Sequence, residues 1–202
     1  MNIQDIAMNK QLLVSILSLF LFAQSAHGDT SSDLVNAAVE GQTEKLIALI
    51  NGGADIQSNG GRALISAAFS ALQLHEESKL NDGQIEAVRI LVDAGADVDE
   101  QFDNGITALM LMSILRQTET VRVLLEAGAD VNATNNADGE TPLIFAVYGG
   151  STETVSLLIE SGADVSAIDA GTGNEDGRTA LSYAKEKEHA EITEVLKQAG
   201  AK

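Results

Sequence analysis

The sequence predicts an all-α solenoid of about five helix-turn-helix repeats that carry short β-hairpin fingers. Two observations support this prediction. The tetrad Gly-Ala-Asp-Val, or Gly-Ala-Asp-Ile in its first copy, recurs at intervals of 42, 33, 34 and 38 residues, and apolar residues spaced three and four apart precede each copy. A base period of 33 residues with insertions accounts for these intervals. The copies begin at Gly53, Gly95, Gly128, Gly162 and, truncated, Gly200.

Residues 1–28 have the pattern of a secretory signal peptide. An uncharged apolar run at residues 12–22 follows Lys10 and precedes a stretch of small and polar residues. Because a membrane-spanning helix needs about 20 apolar residues, we expect cleavage rather than stable membrane insertion. The expected mature N-terminus is Asp29, with Ala26 as the alternative, and Met8 is an alternative start to Met1.

Residues 29–202 are predicted to form one repeat domain, with repeats at about 31–57, 58–100, 101–133, 134–167 and 168–202. In each repeat the second helix should end at the tetrad glycine, which supplies a left-handed residue, and the chain should then turn into a finger. The last repeat has the polar Thr193 and Lys197 where the others have apolar residues, which predicts a polar cap. The predicted buried stripe comprises Leu46, Leu49, Ile50, Val88, Leu91, Val92, Val121, Leu124, Leu125, Val155, Leu158 and Ile159.

The first helix of a repeat is predicted to start at the motif Thr-Ala-Leu or Thr-Pro-Leu. Thr141 should cap its helix, and Pro142 suits the first helical position because the N–H that it lacks has no partner there. Arg62 begins a degenerate copy of the motif. The predicted finger turns are Asp103-Asn104-Gly105, Asp138-Gly139 and Asp176-Gly177.

Together these motifs resemble the ankyrin repeat family, whose repeats run from D-G-x-T-P-L-H through two helices to G-A-D-V-N. The best match extends from residues 138–143 to residues 162–165, and the resemblance covers about residues 31–202. It implies a protein that binds other proteins through the concave face of its fingers and first helices, and that is seldom an enzyme. The binding positions implied by the resemblance are Phe69, Phe102, Asp103, Asn104, Ile106, Ile114, Leu115, Glu140, Tyr148 and Arg178.

Six of these ten side chains are apolar or aromatic, which predicts an exposed apolar stripe for a partner. The alternative is that some of them cover the neighbouring insertions. The whole chain has 12 Lys and Arg against 30 Asp and Glu, a net charge of −18, so nucleic acid is not an expected partner and proteins with basic patches are favoured. The chain has no Cys, which excludes disulfides and thiolate chemistry. We expect no cofactor and no metal.

The functional hypothesis is therefore an exported, monomeric, noncatalytic binding module that supports a periplasmic enzyme. A secreted effector acting on a host protein is one alternative. A metal-dependent or carboxylate-based hydrolase is another, with His75 in the insertion at residues 72–82 as its candidate ligand. Residues next to each other on a helix point in different directions, so His75, Glu76 and Glu77 form a poor ligand set.

Overall fold

A computed structural model describes residues 30–70, 82–170 and 177–202. The predicted signal peptide, most of the insertion at 72–82 and the turn residue Asp176 lie outside these ranges. The described residues form an all-α repeat solenoid, which confirms the predicted fold class. Its helices are α1 (Thr30–Val39), α2 (Thr43–Asn51), α3 (Ile56–Ser70), α4 (Asp82–Asp93), α5 (Ala108–Ile114), α6 (Thr118–Glu126), α7 (Pro142–Gly149), α8 (Thr152–Glu160), α9 (Ala180–Glu186) and α10 (Ala190–Gln198).

The ten helices form two layers. The inner helices α1, α3, α5, α7 and α9 pack side by side, and the outer helices α2, α4, α6, α8 and α10 pack behind them. Each inner helix also packs on the outer helix of its own repeat. None of the described helices is long and apolar enough to cross a membrane.

Small aliphatic side chains fill the space between the layers, as the sequence predicts. Leu46, Val88, Val121 and Val155 are almost fully buried at equivalent positions of the outer helices. The third residue of each predicted stripe is only half-buried. In the last repeat Thr193 is half-buried and Lys197 is exposed, which confirms the polar character of that repeat.

The tetrad glycines end the outer helices in the predicted conformation. Gly53 and Gly128 have φ values of 88° and 91°, a left-handed region that glycine enters without steric cost. Apart from the adjoining residues of the chain, no described atom lies within 4 Å of where a side chain would begin on either glycine. These glycines are therefore needed for their backbone conformation rather than for space.

The tetrad aspartates also link successive repeats. The Asp97 carboxylate accepts a hydrogen bond from the Asp99 N–H at 3.0 Å, and the Asp99 carboxylate accepts from the Asp130 N–H at 2.9 Å. One repeat further on, the Asn132 side chain accepts from the Asp164 N–H at 2.8 Å and donates to the Gly162 carbonyl at 3.2 Å. We call this series the Asp/Asn ladder.

The inner helices begin with two different arrangements. Thr107 and Thr179 accept hydrogen bonds from the N–H groups of Met110 and Ser182, both at 3.3 Å. The predicted cap by Thr141 is wrong, because its hydroxyl is buried without a partner among the described residues. The placement of Pro142 in the first turn is confirmed, and its fixed φ favours the helical start without a side-chain cap.

Fingers are smaller and fewer than the sequence predicts. In the part of the chain that the structure describes, three segments project from the helices: finger 1 (residues 102–106), finger 2 (135–140) and finger 3, of which residues 169–170 and 177–178 are described. Among the described residues, strand pairing is limited to two isolated antiparallel bridges, Phe102 with Ile106 and Ile168 with Thr179. In fingers 1 and 2 the predicted hairpins are therefore reduced to turns closed by one or two backbone hydrogen bonds.

Repeat 2 has no finger, which corrects the expectation that every tetrad leads into one. Helix α3 starts at Ile56, the last residue of the first tetrad, and the Asp55 carboxylate accepts from the Ser58 N–H at 3.1 Å. A side chain at Gly60 would begin 2.7 Å from Cβ of Ala96, so the helix packs closely on the next tetrad. Packing of this kind favours a longer helix at the place where the turn was expected.

Candidate functional site

The fingers stack on one another through their backbones. In finger 1 the Phe102 N–H donates to the Ile106 carbonyl at 2.8 Å, and Asn104 takes a left-handed φ of 62°. The Asn104 carbonyl accepts from the Asn136 N–H of finger 2 at 2.6 Å. A side chain at Gly105 would begin 2.6 Å from that nitrogen, so only glycine permits the approach. Fingers 1 and 2 therefore form one continuous ribbon.

Asn135 organises finger 2 and fixes the position of Glu140. Its side-chain oxygen accepts from the N–H groups of Asp138 and Glu140, both at 3.0 Å, and its amide donates to the Glu140 carboxylate at 3.1 Å. Asn135 is buried, with 6% of its surface exposed. Because a buried amide with several partners is held in one orientation, Glu140 is presented rigidly.

Two tyrosine–carboxylate pairs lie side by side where repeats 4 and 5 meet. The Tyr148 hydroxyl donates to the other oxygen of Glu140 at 2.9 Å, and the Tyr183 hydroxyl donates to the Asp169 carboxylate. The two rings have centroids 4.8 Å apart and planes inclined at 57°, a favourable tilted contact. We call Glu140, Tyr148, Asp169 and Tyr183 the tyrosine cluster.

Basic side chains lie over both rings of the tyrosine cluster. Lys187 Nζ lies 5.2 Å from the centre of the Tyr148 ring, and the Arg178 guanidinium lies 5.4 Å from that of Tyr183. Arg178 also forms an ion pair with Glu186 at 2.8 Å. Both distances lie within the range of cation–π attraction, so the aromatic faces already hold positive charge.

Burial raises the pKa values of Glu140, Tyr148 and Tyr183 in the tyrosine cluster and that of Asp138 beside it. Burial raises the pKa of the Glu140 carboxyl above its usual range, and the hydrogen bond from Tyr148 only partly opposes this. Burial, with the nearby charge of Asp169, also raises the pKa of Asp138. Burial and the bond to Asp169 raise the pKa of Tyr183 to about 12, and burial raises that of Tyr148 as well. Both tyrosines therefore stay protonated as hydrogen-bond donors at neutral pH.

The candidate binding residues are less exposed than predicted. Phe102, Ile114, Leu115 and Tyr148 are half-buried and pack against the core. Ile106 is 4% exposed, so the expectation that it faces a partner is wrong: its side chain lies in the core beneath finger 1.

The exposed apolar stripe is therefore not present at these positions. Asn104 is exposed at the tip of finger 1, and Glu140 and Arg178 are half-buried. Phe69 lies in α3 and Asp103 in finger 1, but their side chains lie outside the described part of the structure.

Sequence reasoning missed half of the tyrosine cluster. Tyr183 is at a core position of its helix and is 7% exposed. The helical pattern alone therefore indicates a core residue rather than a binding residue. Its partner Asp169 is 14 residues away in a finger, a separation that no helical spacing indicates. The one large apolar side chain that is well exposed near the fingers of the described chain, Ile168 at 63%, was also missed.

Within the described ranges, no group of three or more His, Asp or Glu residues is arranged to hold a metal ion. His75, the ligand candidate of the hydrolase alternative, lies outside those ranges. His189 precedes α10, where its ring approaches the turn at Gly150.

Stacked helix pairs with projecting turns define a repeat solenoid, a class whose surface is built by repetition. A family model described as ankyrin repeats, in three copies, matches residues 74–169 and 134–202, which together span well over half of the chain. The chain belongs to the ankyrin repeat family. Ankyrin repeats are generally protein–protein interaction modules and are typically noncatalytic. No curated protein matches the chain.

Proposed function

We propose that the protein is an exported, noncatalytic module that binds another protein through the face formed by fingers 1–3 and the inner helices, here called the finger face. The observation that carries the proposal is the rigid presentation of polar and aromatic groups there. Glu140 and Tyr148 are held by hydrogen bonds and ring contacts before any partner arrives. Groups fixed in advance lose little conformational entropy on binding, which favours affinity.

The charge of the chain supports a partner with a basic surface. The net charge is −18, and the finger face contributes Asp138 and Glu140, for which the described residues supply no ion pair within 4 Å. Opposite charge accelerates association and is screened by salt. We therefore expect association to slow as salt is raised, while the complex still forms.

A photo-crosslinking pair tests the location of the surface. One variant carries a photoreactive residue at Asn104, exposed at the tip of finger 1, and the matched control carries it at Glu126, exposed on the outer helix α6. A partner that crosslinks from position 104 and not from 126 supports the proposal. A partner that crosslinks equally from both positions, or only from 126, contradicts it.

Substitution of Phe102 measures the contribution of an aromatic anchor. Replacing an aromatic residue at the centre of an interface with alanine typically costs at least about 2 kcal/mol of binding free energy. Phe102 packs partly on the core, so the melting temperature of Phe102→Ala is recorded alongside binding. Tyr148→Ala is not combined with it, because Tyr148 also contacts Tyr183 and so joins repeats 4 and 5.

The location of the protein belongs to the same proposal. Residues 1–28 direct export, the mature chain begins at Asp29, and the monomer acts in the periplasm in support of an enzyme there. N-terminal sequencing of the protein from a periplasmic fraction tests the cleavage. A product that starts at Met1 or Met8 and stays with the membrane contradicts export as a soluble module.

A further inference from the structure

The Glu140 carboxylate keeps hydrogen-bonding capacity that the described residues do not use. Its Oε1 accepts from the Tyr148 hydroxyl at 2.9 Å, and its Oε2 accepts from the Asn135 amide at 3.1 Å. An ionised carboxylate has about four lone-pair positions, so each oxygen can accept one more hydrogen bond. Burial raises the pKa of this carboxyl, which means that its ionised form lacks solvation that a cation would replace. A planar donor that bonds to both oxygens at once fits this capacity.

The ring of Tyr148 already holds a cation of the chain itself. Lys187 directly follows α9 (Ala180–Glu186), and its ammonium lies 5.2 Å from the centre of the ring. Tyr183 contacts the same ring, with centroids 4.8 Å apart, and Glu140 holds the hydroxyl. The ring is therefore fixed in place, and the position over it suits a positively charged group.

A guanidinium group suits this position better than the ammonium of Lys187 does. The guanidinium is planar and weakly hydrated, stacks on aromatic rings and donates in a fork that matches a carboxylate, whereas an ammonium is a compact, strongly hydrated point charge. The Glu140 carboxylate lies at the hydroxyl edge of the Tyr148 ring, because the two groups share the hydrogen bond of 2.9 Å. A guanidinium that stacks on the ring and is shifted toward this edge can donate to the carboxylate as well.

We propose that Tyr148 and Glu140, here called the arginine site, bind an arginine side chain of the partner protein. Its guanidinium takes the place of Lys187 over the Tyr148 ring and donates to both oxygens of Glu140. Lys187 then acts as an internal substitute that occupies the ring until the partner binds. The proposal rests on the proposed function, because it names the group that a basic partner inserts into the finger face.

Small probes test the arginine site without a partner. The probes are the Nα-acetyl amides of arginine, of lysine and of citrulline, which has the shape of arginine without its charge. In an NMR titration we expect the arginine probe to bind with a dissociation constant of about 1 to 10 mM and to shift the ring resonances of Tyr148. The citrulline probe should bind at least about tenfold more weakly, and the lysine probe at least about threefold more weakly.

Variants separate a specific site from a general effect of charge. Lys187→Ala vacates the position over the ring and should tighten binding of the arginine probe about two- to fivefold. Lys185→Ala is the matched control, because Lys185 is exposed on the same helix and its loss changes the net charge equally. It should leave the affinity almost unchanged. Glu140→Gln keeps the shape of the side chain and should weaken binding at least about tenfold.

Several results would overturn the arginine site. They are equal binding of the arginine and citrulline probes, equal binding of the arginine and lysine probes, binding that leaves the Tyr148 ring unshifted, and no saturable binding up to about 50 mM. Equal effects of Lys187→Ala and Lys185→Ala would also overturn it, since net charge alone then explains the change. These comparisons use wild type and the lysine variants, so they stand even where Glu140→Gln fails to fold.

Failure of the arginine site is distinguishable from failure of the proposed function. Photo-crosslinking from Asn104 locates the partner, whereas the probe titration contains no partner. A partner that crosslinks from position 104, together with an arginine probe that does not bind, removes the arginine site and leaves the finger face. A probe that binds as expected while the partner crosslinks only from Glu126 retains the arginine site and contradicts the proposed function.

Discussion

Repeats 1 and 2 differ from repeats 3 to 5 in how one repeat is joined to the next. Between repeats 3 and 4 the helices, the Asp/Asn ladder and the stacked fingers all cross the junction. Between repeats 1 and 2 the same tetrad caps α3 through Asp55, and no finger follows. The comparison teaches that the tetrad fixes where an outer helix ends, whereas packing decides what the chain does next.

The largest expected difference between the two regions is in the core. Leu124 is 1% exposed, whereas the equivalent Leu49 in repeat 1 is half-buried. Leu124→Ala should lower the free energy of unfolding by about 2 to 5 kcal/mol, and Leu49→Ala by clearly less. Urea unfolding measures both, with the exposed Glu126→Ala as a control that should change little. Equal losses at 124 and 126 would mean that the helix register is wrong.

Close approach of inner helices should give the next largest effect. A side chain at Gly149 would overlap the carbonyl oxygen of Ile114 on α5, although Gly149 has an ordinary helical conformation. Gly149→Ala should therefore lower the free energy of unfolding by about 1 to 3 kcal/mol through its effect on repeats 3 to 5, which carry the fingers. Gly52→Ala in repeat 1 is the control, since Ala127 and Ala199 end their helices at the equivalent position. A neutral Gly149→Ala would show that α5 and α7 separate easily.

The Asp/Asn ladder should contribute more to stability among repeats 3 to 5, which carry the fingers, than the equivalent bond does between repeats 1 and 2. Asn132→Ala removes two bonds to the next repeat, to Gly162 and Asp164, whereas Gln57→Ala removes one bond to Gly95. At about 1 kcal/mol or less for each exposed bond, we expect losses of about 1 to 2 and about 0.5 kcal/mol. Thermal melts of the two variants compare them directly, and a larger loss at Gln57 would reverse the comparison.

The smallest expected effects are changes with pH, and they have opposite signs in the two regions. Burial raises the pKa of Glu140 in the folded state, so its ionised form destabilises the fold and the penalty disappears as pH falls. Wild type should gain stability relative to Glu140→Gln when pH is lowered from 7 to 4. The bond from Ser58 lowers the pKa of Asp55, so wild type should lose stability relative to Asp55→Asn as pH falls below about 4. Denaturant melts at several pH values check both signs.

Much of the fold could be predicted because its signals are local. The positive φ at Gly128 and the burial of Leu124 follow from one residue type and one helical spacing. The helix at Asn59-Gly60 could not be predicted, because the choice between helix and turn depends on packing against Ala96, 36 residues later. For the same reason the hydrogen bond between Tyr183 and Asp169, which are 14 residues apart, could not be predicted. Of the predicted binding surface, the resemblance to the repeat family placed Glu140 and Tyr148 on one face, but the hydrogen bond that joins the finger residue Glu140 to Tyr148 on α7 was not predicted.

Substantial contacts between the described helices join only helices of one repeat or of adjacent repeats. Residues that touch are thus separated by at most about two repeat lengths along the chain, which gives a low contact order. Proteins with local contacts of this kind fold in about microseconds to milliseconds, since few long loops must close before contacts form. We therefore expect rapid refolding with no slow topological search, and duplication of one repeat should lengthen the molecule without creating a new folding problem.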